Sequence, residues 1–210
     1  MADTNRDRDS IDEACETFKE WQEALSPMQT EGLGDARFAL LGEQWPQEIA
    51  NERQRQGRPT LTMNHMPKFI RQVTNDARQN KPQVTIRPID SAGDVRIAEI
   101  YGGLIKQIES VSDADIAYDT AVFNAVTAGV GFWRIDIDYA TNDSFEYDIK
   151  IGRIPNFLSV TFDPLSQAGD ASDWRGAFVT EEMEQKVFET RFPDAQAVGW
   201  KDSPWQEDWF

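Results

Sequence analysis

Two periods meet in the middle of this chain. From residue 113 to 128 the sequence is rich in small apolar residues and poor in charge, which predicts a helix apolar nearly all round and therefore buried. Gly129 and Gly131 end that pattern, and the period becomes two. Trp133, Ile135, Ile137 and Tyr139 fall on one face, with Arg134, Asp136 and Asp138 on the other. Residues 141–144, Thr-Asn-Asp-Ser, supply turn chemistry. Phe145, Tyr147, Ile149 and Ile151 then alternate with Glu146, Asp148 and Lys150. The pattern predicts a helix feeding an antiparallel hairpin over 131–154.

Helical stripes flank this unit. Ile11, Ala14, Cys15, Phe18, Trp21 and Leu25 share one face, with Ser10 as the expected N-cap and Pro27 as the expected stop. Residues 1–9 are polar and charged, and are expected to be disordered. Residues 31–58 read as short helices around Phe38-Ala39-Leu40-Leu41 and after Pro46. Pro67 suits the first turn of a helix with Met66, Phe69, Ile70, Val73 and Ala77 on its apolar side, and Lys68, Arg71, Asn75 and Arg78 opposite. Val84 and Ile86, with Ile89, predict a short strand. Ile97, Ile100, Tyr101, Leu104, Ile105, Ile108 and Val111 mark a strongly amphipathic helix after a turn and cap at 91–94. Gly102 and Gly103 lie off its stripe, either where a neighbour approaches or as an exposed weak spot. Short strands are expected at 157–162 and 176–179. A helix capped by Thr180, with Glu181 and Glu182 in its first turn, should end at Pro193.

These elements add up to an α+β fold, with helices at 67–80, 95–111 and 115–128 packed around the hairpin. The chain divides into a polar start (1–9), a helical segment (10–57), an α+β domain (58–195) and a tryptophan-rich tail (196–210).

Composition narrows the function. The formal net charge is −16 over 210 residues, so the surface as a whole does not attract polyanions. One cysteine and one histidine, Cys15 and His65, provide neither an internal disulfide nor a Cys- or His-based metal site. No apolar run has membrane-spanning length. Asp136, Asp138, Asn142 and Asp143 lack calcium-loop spacing, and the carboxylates Asp113, Asp115 and Asp119 suit a helix start. Gly129-Val-Gly131 leads from helix into strand, the reverse of a phosphate loop. No catalytic, metal or cofactor-binding residue is assigned.

Charge is uneven, however. Between residues 53 and 87 the bases are Arg53, Arg55, Arg58, Lys68, Arg71, Arg78, Lys81 and Arg87, and the only acid is Asp76. This segment contacts either nucleic acid or acidic protein surface, of the same or a neighbouring subunit. Arg53, Arg55, Arg58, Lys68, Arg71 and Arg78 are the candidate contact residues. Trp200, Trp205, Trp209 and Phe210 follow the last predicted helix without periodicity, and form a candidate apolar interface.

Several ordered motifs resemble the portal protein of short-tailed double-stranded-DNA bacteriophages. They are Arg58-Pro59-Thr60-Leu61-Thr62-x-Asn64, Asn75-Asp76-x-Arg78-Gln79-Asn80-Lys81-Pro82, and Arg87-Pro88-x-Asp90. Asp113-Ala114-Asp115, Ala117-Tyr118-Asp119-Thr120-Ala121 and Gly129-x-Gly131-x-Trp133-Arg134 follow. Phe162-Asp163-Pro164 and Ser172-Asp173-Trp174-Arg175 complete the series, which covers roughly residues 58–195.

The resemblance implies a structural subunit of a twelve-membered homo-oligomeric ring at one capsid vertex, with this part in the mixed helix-and-strand wing. It implies capsid, terminase and tail proteins as partners and transient contact with double-stranded DNA. Location would be the virion vertex, with assembly in the host cytoplasm. An acidic conduit would let DNA slide without sticking. Portal subunits are much longer, so truncation before the stem and clip is expected. Two other classes remain open: a small acidic hydrolase using paired carboxylates, and a DNA-binding module using 53–87.

Overall fold

A computed structural model describes residues 2–81, 83–88, 94–140 and 145–193, with side chains described from residue 10 onward. The chain forms two compact units, Met1–Phe178 and Val179–Phe210.

The first unit is built on a helix of small residues. Among the described residues, five α-helices precede the hairpin: α1 (Ala2–Ala36), α2 (Gln47–Arg55), α3 (Met66–Gln79), α4 (Val95–Val111) and α5 (Ala114–Ala128). Strands β1 (Trp133–Tyr139) and β2 (Tyr147–Arg153) pair antiparallel, with Ile135 opposite Ile151 and Ile137 opposite Ile149. A 3-10 turn at Phe157–Ser159 leads into β3 (Val160–Phe162), which pairs with β4 (Ala177–Val179), the strand on which the first unit closes. The fold is α+β.

α5 sits at the centre, against α1, α3, α4 and both hairpin strands. It buries Ala114, Ala117, Ala121, Asn124, Thr127 and Ala128, a stripe of small and polar residues. Its larger side chains Ile116, Phe123 and Val126 are exposed. The helix is therefore not buried all round, and the reason is steric: small residues admit backbone. A Cβ on Gly131 would overlap the Ala121 carbonyl, and one on Gly32 of α1 would stand 2.7 Å from the Ala128 oxygen. Asn124 donates from Nδ2 to the Pro155 carbonyl (3.1 Å), tying the exit of the hairpin to the helix. Gly129, at φ +87°, caps α5 in the left-handed region, where a side chain is strained.

Several expectations change. α1 runs through both Ser10 and Pro27, so residues 2–9 are helical and the proline does not stop the helix. Proline's fixed φ fits a helix; what it forfeits is one hydrogen bond and clearance from the preceding turn. Residues 37–41, expected as a separate helix, continue α1 as a π-helical turn ending at Gly42 (φ +73°). Val84 and Ile86 form no strand, and Ile89 lies outside the described residues. Asp94 does cap α4, accepting from the Arg96 amide at 2.8 Å. The expected strand at 157–162 is strand only from Val160.

Packing departs from the expectation in one further way. α3 lies on α5 rather than on the hairpin, and buries Ile70 and Thr74 while Phe69 and Val73 stay exposed. α4 leaves Ile97, Ile100, Leu104 and Val111 exposed, and a Cβ on Gly102 or Gly103 would meet open space. On the hairpin, Ile135, Ile137, Tyr139, Tyr147 and Ile149 are exposed as well. Its opposite face is already answered by Arg134–Asp136 (2.6 Å) and Lys150–Asp138 (2.9 Å).

The second unit contains α6 (Gln185–Arg191). Its N-cap is Glu184 rather than Thr180, and Glu181 and Glu182 precede the helix. The rings of Phe188 and Phe192 meet at a tilt of 46°, centres 5.2 Å apart, with the Arg191 guanidinium over the Phe192 ring. Trp200, Trp205, Trp209 and Phe210 lie outside the described residues.

Candidate assembly surface

The basic segment divides into residues that hold this chain together and residues that face outward. Arg53 belongs to the first group. Its guanidinium lies 4.8 Å from the centre of the Trp45 ring and donates to the Pro59 carbonyl at 3.0 Å, closing the turn after α2. Arg78 reaches Asp119 of α5 at 2.8 Å, and Lys81 reaches Asp115 at 2.5 Å. α3 thus lies against α5 with its C-terminal cations on the acids of the neighbouring helix. Arg55, Arg58, Lys68 and Arg71 are exposed, and none has an ion-pair partner among the described residues. Lys68, Arg71 and Arg78 share one side of α3, as predicted from spacing.

One polar side chain anchors this surface. Asn64 donates from Nδ2 to the Ala39 carbonyl (2.8 Å) and accepts from the Met66 amide (3.1 Å) and from Gln44 Nε2 (3.3 Å). It joins the π-helical turn to the start of α3, and its side chain lies over Gly42. His65, next in sequence, offers no side-chain cap.

A second polar assembly fixes the long loop between β3 and β4. Asp163, 2% exposed, accepts from the Leu165 amide and from both Nε (2.5 Å) and Nη2 (2.9 Å) of Arg175. Those hydrogen bonds hold its carboxyl well below the usual carboxylate range, Arg175 contributing most. Asp173 accepts from the amides of Gln167 (2.7 Å) and Ala168 (3.1 Å) and from the Ser166 hydroxyl, which lowers its pKa too. Trp174 stacks on Phe162 (5.0 Å, 13°) and donates from Nε1 to Ser166. Arg175 also lies 5.5 Å from the centre of the Trp21 ring of α1, and Phe178 meets Phe18 and Trp21 edge-on.

Acids elsewhere are similarly engaged. Asp115 and Asp119 pair with cations, and Tyr118 donates to Glu109 (3.3 Å). Burial, then the Glu109 charge, raises the Tyr118 pKa. Among the described residues no group of three or more His, Cys, Asp or Glu side chains is placed to hold a metal ion. No helix among them is long and apolar enough to cross a membrane.

Sequence reasoning found the basic segment but not its division, because pairing depends on where α5 lies. The roles of Asn64, Asp163 and Asp173 were missed as well. The signal was present in Asp163-Pro164 and Ser172-Asp173, since short carboxylates beside proline and serine are turn formers. A model of the phage P22-like portal protein family matches residues 15–210. With that match spanning almost all of the sequence, the chain belongs to the phage P22-like portal protein family, whose role is structural rather than enzymatic.

Proposed function

We propose that this chain acts as a portal subunit, one member of a ring at the capsid vertex through which double-stranded DNA is packaged and ejected. The observation that carries this reading is the family match over residues 15–210. The apolar stripes left uncovered on α4 and the hairpin support it, since several large side chains at 46–72% exposure on paired elements mark a contact surface. In this reading the chain is not a catalyst and needs no cofactor. Its partners are further copies of itself, the capsid, a terminase and tail proteins; contact with DNA is transient. Twelve subunits is the expected ring size, and host cytoplasm the place of assembly. Electron microscopy of the purified chain, with sedimentation across a range of concentrations, tests the reading. Closed rings are expected. A monomer at every concentration would overturn it.

A further inference from the structure

The solvent-facing half of α3 carries two kinds of residue. Phe69 and Val73, 56% and 51% exposed, run along one edge. Lys68 and Arg71 run along the other, with no acid in ion-pair reach among the described residues. Further along the same helix, Arg78 is answered by Asp119 of α5. Charge on α3 is therefore complemented within the chain at one end and left open at the other.

The complement is present elsewhere on the chain. Asp12, Glu16, Lys19 and Glu23 of α1 fall within about 60° of one another around the helix axis at ~100° per residue, three acids to one base. They are exposed, and they lie on the side opposite the buried Trp21 and Leu25. We infer that the exposed face of α3, with Phe69, Val73, Lys68 and Arg71, docks on this acidic stripe of α1 in a second copy of the chain. The inference rests on the ring reading and deepens it by naming the contact.

Charge decides the partner. Residues 53–87 hold eight bases and one acid, a net +7, so the remaining residues carry −23 of the total −16. A basic face cannot pack on its own copy; it must meet a different, acidic patch of its neighbour. The overall negative charge of two copies does not forbid this, because screening cuts interactions beyond roughly 8 Å at physiological salt. Phe69 and Val73 favour protein over duplex DNA. Protein interfaces cover apolar side chains, whereas phosphates engage cations and leave the rings wet.

The test is a charge swap in the full chain. One variant carries Lys68→Glu and Arg71→Glu, the other Asp12→Lys, Glu16→Lys and Glu23→Lys. Circular dichroism and melting should match the parent, since all five positions are exposed. Each variant alone should need about tenfold or more higher concentration to assemble, and an equimolar mixture should recover parental assembly. Assembly of both single variants at parental concentration overturns the inference while leaving the ring reading standing. A parent that stays monomeric overturns both. Fluorescence anisotropy with a labelled DNA duplex covers the remaining partner. Loss of duplex binding on reversing Lys68 and Arg71, with assembly intact, assigns the face to DNA and overturns the inference.

Discussion

The guanidinium of Arg175 closes on the carboxylate of Asp163, 2.5 Å through Nε and 2.9 Å through Nη2. Asp163 is buried, while Arg175 is largely exposed and covers the Trp21 ring. One ion pair thus holds both ends of a loop and seats it on α1. Replacing Asp163 by Asn should leave a charged guanidinium facing an amide and deprive it of its counter-charge. That guanidinium is largely in solvent, whereas Arg175→Met leaves the buried Asp163 carboxylate unpaired, so the melting temperature should fall on the order of 5–10 °C in Arg175→Met and less in Asp163→Asn. Thermal denaturation of both variants checks the order.

The same loop sets an acid limit. The carboxyls of Asp163 and Asp173 are held below their ordinary values by hydrogen bonds made only in the folded chain. Their stabilisation is therefore complete above the unfolded value of about 3.9 and is lost as pH falls below it, because the unfolded chain takes up protons first. Melting temperature measured from pH 7 to pH 3 should drop more steeply in the parent than in Asp163→Asn. Parallel curves would remove the linkage.

Gly131 and Gly103 should respond in opposite directions to alanine. At Gly131 the new methyl group would overlap the Ala121 carbonyl, and parting the hairpin from α5 should cost about 1–3 kcal/mol. At Gly103 the methyl group meets open space within a helix, so the chain should gain roughly 0.5–1 kcal/mol. Urea titration of the two variants decides.

Arg78 and Arg71 should also separate. The Arg78–Asp119 pair is partly exposed, 54% and 32% at the side chains, so its removal should cost no more than about 1 kcal/mol. A double-mutant cycle with Asp119→Asn should recover that coupling, whereas Arg71→Ala should leave stability unchanged.

Removal of the tail should reduce association. Trp200, Trp205, Trp209 and Phe210 carry no helical period, and each ring covered by a neighbour contributes on the order of 1.5–3 kcal/mol. Sedimentation of a chain ending at Ala197 against the full chain measures the difference. If the shorter chain is equally monomeric but less stable, the rings belong to this chain's own core.

Local chemistry determined much of this protein. The change from a helical period to a period of two at Gly129–Gly131 placed α5 and the hairpin, because backbone geometry imposes those periods whatever lies nearby. Pro67 placed the start of α3, and Asp94 the start of α4, for equally local reasons. The ordered motifs carried the family. Tertiary structure alone decided which face of each element is covered. Phe69 and Ile70 are adjacent apolar residues on α3, yet one is exposed and the other buried, because α5 approaches from a single side. Pro27 lies inside α1 because adjoining turns carry the helix past the missing hydrogen bond, a cost that a local stop signal does not weigh. Arg78 and Arg71 read alike in sequence and differ in fact, since an ion pair needs a carboxylate brought near by the packing of another helix.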